Sequence, residues 1–232
     1  DERKKVMAPR MGDVYVKKMK LDEILSEIAT KNIAKCANKK LEGLSLRNLK
    51  LNEMPDLMPF VNELQHVTSL TCNKNFLFSI EEAIPPICHL KGLKNIDLSE
   101  NFLNGALPAC VGDLILLEEL NLDLNQVSSL PAECGKWANL RSLSMSDNNM
   151  QVLPPEAVSW TNLQSINMRN NKIAELPKTH LIAWKKIVTI SMACNLLKEI
   201  PTEISGCSAL QNLDLSSNAI EEVPEEMASN TA

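Results

Sequence analysis

Seven asparagines, Asn75, Asn101, Asn125, Asn148, Asn171, Asn195 and Asn218, recur at spacings of 26, 24, 23, 23, 24 and 23 residues. A phase held that long marks a chain built from repeating supersecondary units, and it constrains the fold before any local propensity is weighed. Each Asn closes the same apolar string: LKNIDLSENFL from Leu93, LEELNLDLNQV from Leu117, LRSLSMSDNNM from Leu140, LQSINMRNNKI from Leu163, IVTISMACNLL from Ile187 and LQNLDLSSNAI from Leu210. Two further copies precede these. VTSLTCNKNFL from Val67 keeps every mark, whereas LEGLSLRNLKL from Leu41 carries Leu49 in place of the Asn. Composition agrees, with 34 Leu and 23 Asn but only 3% aromatic residues.

Within a unit the apolar residues stand two apart, as in Leu120 and Leu122 or Leu143 and Met145, the period of a short strand with one buried face. One such strand cannot bury that face alone. Units stacked in register make a parallel sheet over a continuous core. Met145, Met168 and Met192 then fill successive inward strand positions. Cys134 with Trp137, Ala157 with Trp160, and Ile204 with Cys207 stand six and three residues before the next strand motif and are expected to point inward from the opposite side. The alternating residues face outward in three columns. The central one is Ser45, Thr71, Asp97, Asn121, Ser144, Asn167, Ser191 and Asp214. Beside it run Gly43, Ser69, Asn95, Glu119, Ser142, Ser165, Thr189 and Asn212, then Arg47, Asn73, Ser99, Asp123, Ser146, Arg169, Ala193 and Ser216.

On these motifs the chain resembles leucine-rich repeat proteins over residues 41–227, about eight units. Leu130-Pro131, Leu153-Pro154, Leu176-Pro177, Ile200-Pro201 and Val223-Pro224 match the 23-residue intracellular type of repeat. The unit from Leu93 departs, because Asn104-Gly105-Ala106-Leu107-Pro108 with Val111-Gly112 is similar to the plant-type variant. The resemblance implies an α/β fold, a right-handed solenoid or horseshoe with a parallel concave sheet and an N-terminal capping helix. It also implies that the seven repeat asparagines are structural, each buried and hydrogen-bonded to the backbone of its turn. An unpaired buried amide would cost roughly 1–3 kcal/mol.

Three segments follow. Residues 1–20, with more basic than acidic groups, read as a basic flexible arm. Residues 21–40 read as the capping helix, with Leu21, Ile24, Leu25, Ile28 and Cys36 on its apolar face. Residues 41–232 form the solenoid. Its C-terminal end lacks a closing helix after Asn218, so Leu213, Leu215 and Ile220 are expected beside a bare strand edge. That edge implies a longer protein or a covering partner, and the Asp1 start implies residues upstream.

Catalytic signatures are missing from the sequence: there is no phosphate-binding loop, no H-E-x-x-H, no nucleophile elbow and no C-x-x-C pair. His66, His89 and His180 fall in different units, and Cys194 has no histidine expected beside it. The chain reads as a non-enzyme with no catalytic residue, no metal and no cofactor. Seven dispersed cysteines and the absence of any N-x-[ST] acceptor point to reduced thiols and an intracellular place, in the cytoplasm or on cytoskeletal assemblies, with an organelle left open. No stretch is apolar enough for a transmembrane segment. A basic arm without interleaved aromatics argues against nucleic acid.

What remains is a binding surface for a protein partner. Asp97, Glu100, Glu118, Glu119, Asp123 and Asp147 come from three adjacent strands, with Lys94 and Arg141 at their margins. This cluster is either a solvated face or a docking patch for a basic segment. Arg47, Arg141 and Arg169 are the candidate anchors of an otherwise small, polar face. The leading reading is an adaptor, scaffold or assembly subunit. Two others stand beside it: a regulatory subunit resembling the leucine-rich-repeat regulator of type-1 Ser/Thr protein phosphatase, and a substrate-recognition fragment of a larger multidomain protein.

Overall fold

The computed structural model describes residues 11–226, with side chains from Glu23 onward except Ile24 and Leu25. Eight three-residue strands, one per unit, make a single parallel sheet: β1 (Gly43–Ser45), β2 (Ser69–Thr71), β3 (Asn95–Asp97), β5 (Glu119–Asn121), β7 (Ser142–Ser144), β8 (Ser165–Asn167), β9 (Thr189–Ser191) and β10 (Asn212–Asp214). Each pairs with the next without slippage, so Leu44, Leu70, Ile96, Leu120, Leu143, Ile166, Ile190 and Leu213 form one inward row. Register is fixed because a one-residue slip would turn that row outward. Two further strands, β4 (Asn104–Ala106) and β6 (Gln126–Ser129), pair in parallel as a second small sheet. They arise in the unit whose sequence departs from its neighbours.

The chain returns from each strand to the next through a short helix or 3-10 turn on the convex side. These are α2 (Ile80–Cys88), α3 (Lys178–Ala183) and the turns 58–60, 109–113, 132–136, 155–159 and 202–206. Pro108, Pro131, Pro154, Pro177 and Pro201 each stand just before one of them. Their fixed φ and missing N–H suit a helix start. Three tryptophans stack behind these turns, Trp137 on Trp160 with centroids 5.9 Å apart and Trp160 on Trp184 at 6.4 Å. Each indole N–H donates to a carbonyl of the preceding unit: Trp137 to Val111, Trp160 to Cys134 and Trp184 to Ala157, at 2.9–3.0 Å. A ring that fills the core while its nitrogen bonds the neighbouring unit fixes the spacing of units from within.

The asparagine ladder fixes the spacing on the other side. Asn148 shows the pattern: its Nδ2 donates to Met145 and Ser146 of its own turn and to Leu122 of the preceding unit, while its Oδ1 accepts from Val127 N. Asn75, Asn101, Asn125, Asn171, Asn195 and Asn218 repeat this geometry, so each amide locks two units together and does not merely close its own corner. Leu49 replaces Asn in the first unit, where no preceding unit needs bridging. Its N–H, with that of Leu51, is taken by Asn75 Oδ1.

The N-terminal helix differs from the sequence expectation. Helix α1 spans Met11–Lys39 and so begins ten residues before Leu21, within the segment read as a flexible arm. Residues 13–39 contain neither Pro nor Gly, so nothing local interrupts it. Residues 1–10 of that arm lie outside the described residues. The face laid on the sheet end is Ala29, Ile33, Cys36 and Ala37, whereas Ile28 is 37% exposed. Cys36 Sγ donates to Leu41 O at 3.2 Å, and Asn32 Nδ2 reaches Ser45 O at 3.4 Å. The last turns of α1 meet β1, through Asn32 on Ser45 and Cys36 on Gly43. The buried stripe follows residues 29, 33, 36 and 37, and Ile28 falls one position off it.

Candidate protein interface

Along the strands from β1 to β9 of the main sheet the middle residue is buried and its two neighbours face out, so the central column and the column beginning at Gly43 line the open face in register. Across β2, β3, β5 and β7 this face holds a shallow depression of about 340 Å³ lined by Ser69, Thr71, Asn95, Asp97, Glu119, Asn121, Ser142 and Ser144. Third-column residues behave differently. Asn73, Ser99, Ser146 and Ala193 are buried, and Arg47, Arg169 and Ser216 are exposed, with Asp123 half-buried. Strict alternation overshoots by one residue, because the strand has already ended and the chain is turning there. The turn is held by central-column side chains, whose oxygens accept the N–H two residues on: Asp97 from Ser99, Asn121 from Asp123, Asn167 from Arg169 and Asp214 from Ser216.

The residue after that, just before each ladder asparagine, lies in the left-handed region. Asn48, Lys74, Glu100, Leu124, Asp147, Asn170, Cys194 and Ser217 all have φ between 52° and 59°. None is glycine, so the ladder hydrogen bonds sustain a conformation that costs about 1 kcal/mol or more per residue. These corners form the C-terminal rim of the sheet.

Of the six acidic candidates, Asp97 sits mid-face, Glu118 and Glu119 at the entry to β5, and Glu100, Asp123 and Asp147 on the rim. They are not equally available. Glu118 is paired with Lys94 at 3.0 Å and Arg141 at 3.4 Å, and Glu100 with Lys74 at 3.2 Å. The Lys94 hydrogen bond and charge pull the Glu118 carboxyl below its usual range. Asp123 Oδ1 accepts from Ser144 Oγ at 2.7 Å and Ser146 N at 2.6 Å, joining β5 to β7. Asp147 Oδ1 accepts from Asn170 Nδ2 at 2.6 Å. Glu119 alone among them is an exposed carboxylate with no partner among the described residues. Six carboxylates against three cations leave the face negative. The arginines are not brought together: Arg47 lies at the first unit, Arg169 follows β8, and Arg141 is bound to Glu118.

A second feature of the rim carries no mark in the repeat pattern. Phe76, Phe78, Phe102 and Leu124 are exposed, Phe78 to 60%, and the Phe76 and Phe102 rings touch across adjacent units with centroids 6.1 Å apart. Other units place Gln126, Asn149, Lys172, Leu196 and Ala219 at the position following the ladder asparagine, where Phe76 and Phe102 stand. An aromatic residue at that one position in two adjacent units was the available signal.

No group of three or more His, Cys, Asp or Glu that could hold a metal occurs among the described residues. His180 is buried, with its Nε2 against Pro154 O at 2.9 Å and its ring edge-on to Trp184, so it packs the convex core. Cys194 occupies a half-exposed corner. No helix among the described residues is long and apolar enough to cross a membrane.

Sequential parallel strands, one per unit, and a convex layer of short helical turns define a repeat solenoid whose open face offers a continuous surface. The chain carries leucine-rich repeats. The leucine rich repeat profile matches residues 161–220, and the two-copy form matches residues 138–182. Similar solved structures include a leucine-rich repeat protein of Leptospira interrogans, 25% identical with a TM-score of 0.68, covering 88% of this chain and 54% of that one. An internalin of Listeria monocytogenes is 21% identical with a TM-score of 0.66, covering 78% and 49%. A plant peptide hormone receptor, RGFR1, solved in complex with RGF2, is 22% identical with a TM-score of 0.69, covering 81% and 30%. The chain thus spans about half the length of the Leptospira and Listeria proteins. No curated protein matches it significantly. The fold is that of protein interaction modules.

Proposed function

We propose that this chain is a non-catalytic interaction module, an adaptor or assembly subunit, whose open sheet face receives a basic segment of a protein partner. The observation that carries this reading is the coincidence, on β3, β5 and β7, of a net negative face over a floor of small residues with an exposed aromatic rim beside it. Small side chains let a partner backbone approach the sheet. The free Glu119 carboxylate and the negative field steer a basic segment in, and Phe76, Phe78, Phe102 and Leu124 supply apolar area that a polar face lacks. Association is then expected to slow as salt rises, because exposed charges are screened within about 10 Å at 0.1 M ionic strength. The plant receptor of similar fold, solved in complex with RGF2, supports reading such a solenoid as a binding surface.

A photo-cross-linking residue at position 142, beside Glu119 on the neighbouring strand of the same face, identifies the partner of the full chain by mass spectrometry, and binding is then measured directly. Glu119→Lys is the clean reversal, since Asp123 also ties two strands together. Glu119→Lys is expected to weaken binding at least tenfold with unchanged thermal stability. Equal affinity for wild type and Glu119→Lys would falsify the concave acidic site.

A further inference from the structure

Cys88 closes α2, and Cys110 lies in the turn 109–113 of the next unit, packed against it on the convex side. Their sulfurs are 3.0 Å apart, with Cys110 Sγ donating toward Cys88 Sγ. The other five cysteines make no sulfur–sulfur contact, and all seven are free thiols. The two differ in access: Cys88 is buried, whereas Cys110 is partly exposed. Lys91, three residues after α2, and Asp113, which ends the turn 109–113, form an ion pair at 2.8 Å and hold these segments together beside the sulfurs. A disulfide needs its sulfurs about 2.05 Å apart, so closure asks for an approach of roughly 1 Å between segments already in contact.

We infer that Cys88 and Cys110 form an oxidation site, with Cys110 as the thiol attacked by a hydroperoxide and Cys88 as the resolving thiol, yielding a disulfide that ties two neighbouring units covalently. The chemistry balances in two steps. The Cys110 thiolate attacks the peroxide, the O–O bond breaks, and the sulfur keeps one oxygen as sulfenic acid while the alcohol or water leaves. Cys88 then attacks the Cys110 sulfur, the S–S bond forms, and hydroxide departs and takes up the remaining thiol proton as water. Two thiols and one hydroperoxide become one disulfide, one alcohol or water from the peroxide, and one water. Access decides the order, since the peroxide reaches the partly exposed sulfur first. Burial raises the Cys88 thiol far above its ordinary range. That keeps it inert toward outside reagents, and its attack on Cys110 rests on the 3.0 Å sulfur–sulfur contact, with its proton lost as the bond forms. The site stands apart from the concave face and does not depend on what binds there.

The test uses the full chain, reduced and then treated with a slight excess of hydrogen peroxide. Thiols titrated after denaturation are expected to fall by two from the seven present. A non-reducing peptide map is expected to join the Cys88 and Cys110 peptides, the melting temperature to rise, and dithiothreitol to reverse all three. Cys110→Ser is expected to lose the two-thiol step with unchanged circular dichroism. Cys194→Ser, which removes a half-exposed thiol elsewhere, is expected to keep it. Oxidation that stops at a dimedone-reactive sulfenic acid on Cys110, or a disulfide mapped to any other pair, would overturn the assignment.

Discussion

Asn148 shows how much a single amide can carry in this molecule. It makes three donor contacts and one acceptor contact to buried backbone in two units, so truncation leaves polar groups of both units unpaired. Asn148→Ala is expected to lower stability by about 3 kcal/mol in urea unfolding with little change of slope. Asn218→Ala, at a half-buried corner with one fewer flanking unit, should lose markedly less. Equal losses at the two sites would mean that the ladder acts only within its own turn. His180 gives a second expectation. Burial holds its pKa below the ordinary 6.5, outweighing the hydrogen bond to Pro154 that acts in the opposite direction. As pH falls through about 6.5 the unfolded chain binds the proton before the folded one does, so the stability this residue contributes at neutral pH is lost progressively below that point. Cys134, also buried, stands three residues after Pro131 as His180 does after Pro177. His180→Cys should therefore flatten the stability profile between pH 6.5 and 5 while the wild type declines, as read from denaturant midpoints at each pH.

The convex turns are spaced by glycine where they approach most closely. A Cβ at Gly112 would fall 2.5 Å from Glu133 Cβ and 2.7 Å from Glu133 O, whereas one at Gly206 would meet only Lys185 Nζ at 3.6 Å. Gly112→Ala should cost about 1–3 kcal/mol by forcing adjacent turns apart, and Gly206→Ala should be tolerated, a difference visible in melting temperature. Strands, inward rows and ladder were legible in the sequence because eight copies of one pattern average out local ambiguity. Features that break the period were not. Apolar spacing marks α1 only from Leu21, whereas the helix starts at Met11 because residues 13–20 hold no breaker. The left-handed corners carry Lys74, Leu124 or Cys194, with no glycine to announce them, since ladder hydrogen bonds hold the backbone there. Burial of Asn73, Ser99 and Ser146 follows from the strand ending one residue earlier than alternation suggests. Of the candidate interface, the acids were legible as a cluster. Their ion pairs with Lys74, Lys94 and Arg141, and the aromatic rim beside them, depend on neighbouring units and were not.

Because each unit touches only its neighbours, the stability of the whole chain is close to a sum of unit and interface contributions, and opening can begin at either end. The two ends differ. At one, Ile33, Cys36 and Ala37 of α1 cover the first strand, and Leu44 and Leu46 are almost fully buried. At the other, β10 has no strand on its outer edge among the described residues, and Leu213, Leu215 and Ile220 are only half-buried. Between them the rows through Leu143, Ile166 and Ile190, backed by the tryptophan stack, are fully buried. Native-state hydrogen exchange of this chain should therefore rank the units, with Met145 and Met168 amides protected to near the global unfolding free energy and the β9–β10 pairing amides opening several kcal/mol below it. Met145 N donates to Asn167 O deep in the array, whereas Gln211 N and Asn212 N donate to Val188 O at its margin. A ligand or chain that covers β10 would raise protection at residues 211–216 and leave the centre unchanged. Uniform exchange across all eight strands would mean that the array unfolds as one cooperative block and that the half-buried end row adds as much as the centre does.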